Sequence, residues 1–331
     1  MKLNEIGEFG FIERFSQKYL GKLPQGYTGI GDDCAVIPSL KGEEYTVSTD
    51  MLIEDVHFVR AEIGGYQLGQ KSMAVNLSDL AASGSTPCGA FLSLAIPGDV
   101  DVEFLDDFMK GFHMMQTVYG CPLLGGDTTG SRHGLAINVT VIGHCGEGRH
   151  KGRDKSVPGD IICVSGTLGD SGAGLDYILH PEWPRDNNAS QLIKRHHSPK
   201  PRILLGQTLG AMPAVHSMMD VSDGVASDIR HILKRSNVSA VIETDKLPLS
   251  QLMADTYGHN PARMRNYALC GGEDYELLFT IDPKAYSAEW AKRNGVTAIG
   301  HITDAPGNQL IYTEYGNPTN GFGNGFNHFA C

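Results

Sequence analysis

Apolar positions recur along this chain with two different periods. Ile6, Phe9, Ile12, Phe15 and Tyr19 fall at helical spacing and predict a helix over residues 5–20. Residues 66–83 and 102–118 predict two more, the second carrying Phe104, Phe108 and Phe112 four apart. Between them the pattern shortens. Tyr45 to Thr49, Phe91 to Ile96 and the alternating, β-branched run Leu135 to Ile142 read as strands. Gly146 to Gly159 breaks the regularity. It is rich in Gly, Lys and Arg and ends in the turn pair Pro158-Gly159. Beyond it the pattern predicts strands at 160–165, 238–243, 275–281 and 296–302, and helices near 170–180, 189–197, 200–210 and 223–235. Strands and helices mix in both halves, so the expected class is α/β, in the mixed α+β sense. The break suggests two domains, residues 1–148 and 149–331.

Composition narrows the function classes. A 331-residue chain with 41% hydrophobic and 20% charged residues has the makings of an ordinary buried core. The net charge of −11 argues against a nucleic-acid binder relying on a broad basic surface. No stretch approaches a membrane span, and the N-terminal M-K-L-N-E-I-G-E-F-G has no apolar run of signal-peptide length. The seven cysteines are scattered, with no C-x-x-C pair, which suits reduced thiols. A cytoplasmic location is expected, with neither nucleic acid nor membrane as partner.

Six segments join carboxylates to glycines or small hydroxyl residues: G-I-G-D-D-C-A (29–35), S-T-D-M (48–51), N-L-S-D-L-A-A (76–82), G-G-D-T-T (125–129), D-V-S-D-G (220–224) and G-G-E-D-Y-E-L (271–277). Clustered carboxylates repel one another unless cations lie between them. Mg²⁺ suits such oxygen donors, together with substrate phosphates. Neighbouring glycines let backbone N–H groups approach a phosphate. No Walker-type G-x-x-x-x-G-K-[ST], no complete G-x-G-x-x-G, no H-R-D and no H-E-x-x-H occurs.

Each segment also has a plain structural reading. Asp32-Asp33 alone reads as a solvated turn. Strand alternation sends Ser48 and Asp50 to one face, at a cation or at a simple strand end. Asp79 lies in an apolar helix, where a carboxylate needs a metal or hydrogen-bonding partner. Gly125 to Thr129 follows the apolar run Pro122 to Leu124, as a phosphate loop or as a βα turn whose Asp or Thr caps a helix. Asp220 and Ser222 share a face if extended, and Asp223 could cap the next helix. His57 reads as a substrate contact or as an ordinary histidine, Arg153 as a phosphate ligand, and His196-His197 as a solvated helix end. The tail G-F-G-N-G-F-N-H-F reads equally as a core cover and as a ligand lid.

In number and order these segments resemble the thiamine-monophosphate kinase family of the aminoimidazole-ribotide synthase superfamily. The resemblance runs from Gly7-Glu8-Phe9 to the tail and includes R-x-x-x-x-P-G-D (153–160) and S-G-T-L-G-D-S (165–171). It implies a two-domain aminoimidazole-ribotide-synthase-like fold, a homodimer pairing through N-terminal sheets, and phosphorylation of thiamine monophosphate by ATP, with several Mg²⁺ ions. Residues 1–148 would bind ATP and metal and form the dimer. The implied metal ligands are Asp33, Ser48, Thr49, Asp50, Asp79, Asp127, Asp220 and Asp223. ATP would meet Gly126, Asp127, Arg153 and Ser222, and substrate would meet His57, Glu273 and Phe326. No general base is implied, and Cys331 reads as incidental. Another ATP-dependent enzyme of the superfamily, or a non-catalytic binder of thiamine phosphate or nucleotide, is the alternative.

Overall fold

The computed structural model describes Arg14, Lys18, residues 42–320 and residue 322. The expected helix at 5–20, apart from Arg14 and Lys18, lies outside the described residues, as do Asp33 and Phe326. The chain divides into two compact units, Met1–Leu80 with Ser85–Gly148, and Ala81–Gly84 with Arg149–Cys331.

Among the described residues, the first unit is a four-stranded sheet under two long helices. Its elements are β1 (Glu43–Ile53), α1 (Gly65–Ala82), β2 (Thr86–Pro97), α2 (Val102–Tyr119), β3 (Leu123–Ser131) and β4 (Ala136–Gly146). The sheet order is β1-β4-β2-β3, with only the β2–β3 pair parallel. Alternate residues decide its faces. Leu92 and Leu94 of β2 and Val139 and Val141 of β4 are buried with Leu77 and Leu80 of α1 and Phe108 and Phe112 of α2. The intervening positions, among them Val47 and Met51, form an open face. α1 and α2 approach each other through glycine: a Cβ on Gly69 would lie 2.0 Å from the Phe108 carbonyl oxygen, and one on Gly111 1.9 Å from that of Tyr66. Arg14 forks onto Asp106 of α2, with Nε 2.7 Å from Oδ1, and holds that carboxyl below its usual range.

The second unit is a seven-stranded mixed sheet. Its strands are β5 (Ile161–Ser165), β6 (Val215–Asp220), β7 (Ser239–Glu243), β8 (Leu277–Ile281), β9 (Val296–Thr303), β10 (Leu310–Glu314) and β11 (Asn317–Thr319). Their order is β11-β10-β7-β9-β5-β8-β6. The helices are α3 (Asp170–Leu179), α4 (Asn187–His197), α5 (Ile203–Gly210), α6 (Val225–Ser236), α7 (Gln251–Tyr257), α8 (Pro261–Cys270) and α9 (Ala288–Asn294). Ile229, Ile232 and Leu233 of α6 pack with Ile162, Val164, Leu278 and Ile299 of the sheet to form the main core. The five described cysteines are free thiols. Among the described residues no helix is long and apolar enough to cross a membrane.

Candidate functional site

In the first unit, β1 and α1 meet at the S-T-D-M segment. Ser48 and Asp50 share the helix-covered face of β1, and the Ser48 hydroxyl donates to the Asp79 carboxylate of α1. One turn earlier on α1, Asn76 Oδ1 accepts the Asp50 N–H at 3.0 Å and its amide donates back to Ser72 O at 3.0 Å. A fully buried asparagine thus registers strand on helix, beside two carboxylates on the same side. Burial first, then the Asp79 charge, pushes the Asp50 carboxyl up to about 7.

Thr49 points the other way. Its hydroxyl lies 3.0 Å from that of Thr140 and receives the Asn138 amide at 3.1 Å. Asp127 belongs to that open face too. It pairs with Ser93, and Ser93 with Asn138, whereas Asp50 pairs with Val139 and Val139 with Leu92. The G-G-D-T-T segment lies inside β3 rather than after it, and no helix follows. The expected βα turn and cap give way to strand pairing with β2. Gly126 is required by that pairing, since a Cβ there would lie 1.7 Å from Leu92 O. The Asp127 carboxylate instead accepts the Thr128 N–H at 2.9 Å.

His57 sits in the turn after β1. Its backbone N–H donates to Ile53 O at 2.9 Å, and its Nδ1 accepts the Ile53 N–H at 3.0 Å. The neutral ring therefore carries its proton on Nε2.

In the second unit, two acidic segments form one structure. Asp220 ends β6, and the chain then runs beside Gly272–Glu276: Val221 N–H donates to Glu276 O at 2.8 Å, Glu273 N–H to Ser222 O at 2.7 Å, and Tyr275 N–H to Val221 O at 2.9 Å. Glu273 and Tyr275 hold left-handed φ values of 54° and 51°. The expected Asp223 cap does not form. Gly224 takes the N-cap position, and Asp228, inside the first turn of α6, accepts the Ser222 and Asp223 N–H groups at 3.1 and 3.2 Å. Burial, then the Asp220 and Asp223 charges, pushes Asp228 up to about 8. Arg153 is exposed. Its charge adds to burial in lowering the basicity of His231, which the Asp223 charge opposes.

Glu273 lines an open cleft together with Asp170, Ser171, Arg195, Lys200, Arg202 and Glu276, among others. His196 and His197 are buried, not solvated. His196 Nδ1 lies 3.0 Å from Ser171 Oγ and 3.2 Å from Glu273 Oε2. Arg202 forks onto buried Glu276, its Nε 2.6 Å from Oε2. Asp274 turns inward to accept the Gly169 N–H at 2.7 Å.

Asn76, Asp228 and Arg202 thus matter locally without having been proposed as site residues, and His196, read as part of a solvated helix end, joins them. Only Asn76 had a visible signal, its i, i+3 relation to Asp79 on one helix face. Among the described residues no three His, Cys, Asp or Glu side chains stand together in a metal-holding group.

Residues 31–145 match the family model described as AIR synthase related protein, N-terminal domain, and residues 157–313 match its C-terminal counterpart. The chain is 38% identical to the thiamine-monophosphate kinase of Haemophilus influenzae over 331 residues, covering 98% of each. It superposes on the crystal structure of the Stenotrophomonas maltophilia thiamine-monophosphate kinase with a TM-score of 0.81 at 34% identity, over 96% of this chain and 99% of that one. It also superposes on AaThiL complexed with AMPPCP and TMP, with a TM-score of 0.77 at 32% identity, over 99% of both chains. With both of its halves matched and its full length shared with these enzymes, the chain belongs to the thiamine-monophosphate kinase family of phosphotransferases.

Proposed function

We propose that this protein transfers the γ-phosphoryl group of ATP to the phosphate of thiamine monophosphate, giving ADP and thiamine diphosphate. The observation that carries the reading is its likeness, along 99% of both chains, to a protein complexed with AMPPCP and TMP. The acceptor phosphate is already anionic near neutral pH, so no side chain need act as a general base, and none is assigned. In-line transfer asks the protein to bring two polyanions together and hold them in register.

The oxygen donors fit Mg²⁺. Asp50 is held up to about 7 by burial and by the Asp79 charge, a penalty that a bound dication would remove. Ser48, Thr49, Asp50, Asp79 and Asp127 in one unit, Asp220 and Asp223 in the other, and Asp33 are the proposed ligands of several ions. Mg²⁺ bound by them would neutralise phosphate charge during transfer. Gly126, Asp127, Arg153 and Ser222 are the proposed ATP contacts. His57, with its proton on Nε2, offers a donor to an anionic phosphate. Glu273 offers a carboxylate to the thiazolium cation, and Phe326 an aromatic face to the same group.

We assign dimer formation to residues 1–148, which also carry most of the proposed metal ligands and the ATP contacts Gly126 and Asp127, and place the protein in the cytoplasm. The open face of the first sheet supports a homodimer. Val47 is 64% exposed and Met51 55%, an apolar pair that strand alternation directs away from the helices. Val47→Asp should shift sedimentation toward monomer, and an unchanged sedimentation coefficient counts against sheet pairing. The reaction is tested by following thiamine diphosphate formation from ATP and thiamine monophosphate with and without Mg²⁺. Turnover that persists in EDTA refutes the metal-assisted reading. Absence of product at saturating Mg²⁺ refutes the activity.

A further inference from the structure

The Lys71 side chain has no exposed surface, on a helix whose other buried residues are apolar or small apart from Asn76. Burying a lysine is unfavourable unless its Nζ finds oxygen partners. Its Nζ lies 3.4 Å from the main-chain carbonyl oxygen of His57.

That carbonyl belongs to a tightly tied turn. Glu54 bridges to Phe58, Asp55 holds a left-handed φ of 64°, and Asp55 N–H donates to Phe58 O at 2.8 Å. On its outer side, Glu54 receives Arg60 Nε at 2.7 Å and the Leu135 N–H at 2.6 Å. Lys71 supplies a tie from the helix side. With His57 N–H on Ile53 O and Ile53 N–H on Nδ1, both the backbone and the ring of His57 are constrained.

We propose that Lys71 is a positioning residue: by donating to His57 O it holds the Ile53–Phe58 turn so that His57 presents Nε2–H to the phosphate of the acceptor substrate. The proposal rests on the reading of His57 as a substrate contact. A lysine at this place ties the turn to α1, in addition to the Ile53 contacts that orient the ring within the turn.

The test compares Lys71→Met, which keeps bulk and removes the donor, with Lys71→Arg, which restores donors, and with His57→Ala. We expect K71M to raise KM for thiamine monophosphate about tenfold, the scale of one lost hydrogen bond to a charged group, with KM for ATP within about twofold. The ¹⁵N signals of the His57 ring should move from the Nε2–H tautomer toward a mixture, and K71R should return both readouts toward wild type. An unmoved His57 spectrum in folded K71M overturns the proposal, as does an equal rise in both KM values. If K71M does not fold, folded K71R decides: wild-type His57 signals with wild-type KM support the tie, and shifted signals with wild-type KM overturn it. An unchanged KM for thiamine monophosphate in H57A instead refutes the substrate role of His57. That failure is distinct, because the His57 spectrum of K71M is read without substrate.

Discussion

Gly126→Ala separates two reasons for a glycine in G-G-D-T-T. If the glycine serves only phosphate approach, an added methyl should spare the fold and weaken ATP binding. The structure predicts otherwise. The new Cβ would lie 1.7 Å from Leu92 O and 2.7 Å from Leu92 C, where real Cβ contacts do not fall below 3.0 Å. β3 is an edge strand, so it can yield, but only by opening from β2 by about 1.3 Å at this point, the gap between those two limits. Such an opening lengthens the neighbouring ladder hydrogen bonds past bonding distance, and overpacking of this kind costs roughly 1–3 kcal/mol. We expect a loss of about 2 kcal/mol in urea unfolding, accompanied by reduced turnover because Asp127 moves with the strand. Unfolding midpoint and KM for ATP are measured on the same preparation. G126A with a wild-type midpoint and a raised KM for ATP would refute the packing argument and return Gly126 to the phosphate.

Three other outcomes follow from the same geometry. Arg202→Ala leaves Glu276 buried without its guanidinium, so a loss of roughly 2–4 kcal/mol is expected, lowered from the fully buried range because Arg202 is 35% exposed. The double variant with Glu276→Ala should be less unstable than the sum of the singles, and strict additivity would contradict the coupling. Burial holds the Asp274 carboxyl well above its usual value. Its contribution is therefore complete below the unfolded carboxyl range near pH 4 and declines as pH rises through its folded value. Asp274→Asn should flatten that part of the stability–pH curve, and parallel curves for the two proteins would show that Asp274 is not its source. Asp50→Asn and Asp127→Asn should each lower turnover far more than stability at saturating Mg²⁺, and wild-type turnover in either removes that carboxylate from the site.

Strong periodicity was enough for several elements. Phe104, Phe108 and Phe112 announce α2, and residues 66–83 announce α1 within a residue of its observed bounds. Short elements with weak patterns were not legible. β3 begins as a two-leucine run and continues through Gly-Gly-Asp-Thr-Thr, a composition that reads as a turn because strands seldom tolerate it. Its strand conformation comes from parallel pairing with β2, a long-range contact invisible to a local window. His196 and His197 read as a solvated end because they share α4 with Lys194 and Arg195, yet both are buried and His196 meets Ser171 and Glu273.

By itself the order of residues determined the class of fold and, through its motifs, the kinase family. Those rest on composition, period and motif, which are local properties of the chain. It also determined that Ser48 and Asp50 share a face, because strand geometry alternates. Tertiary structure alone decided that Asp127 lies on the opposite face from Asp50, that Asp228 rather than Asp223 organises the start of α6, and that Lys71 reaches the turn of His57. Each of these depends on register between segments or on a buried polar group finding its partner. Such partners are chosen by the fold's need to satisfy every buried donor and acceptor, not by neighbours in the sequence.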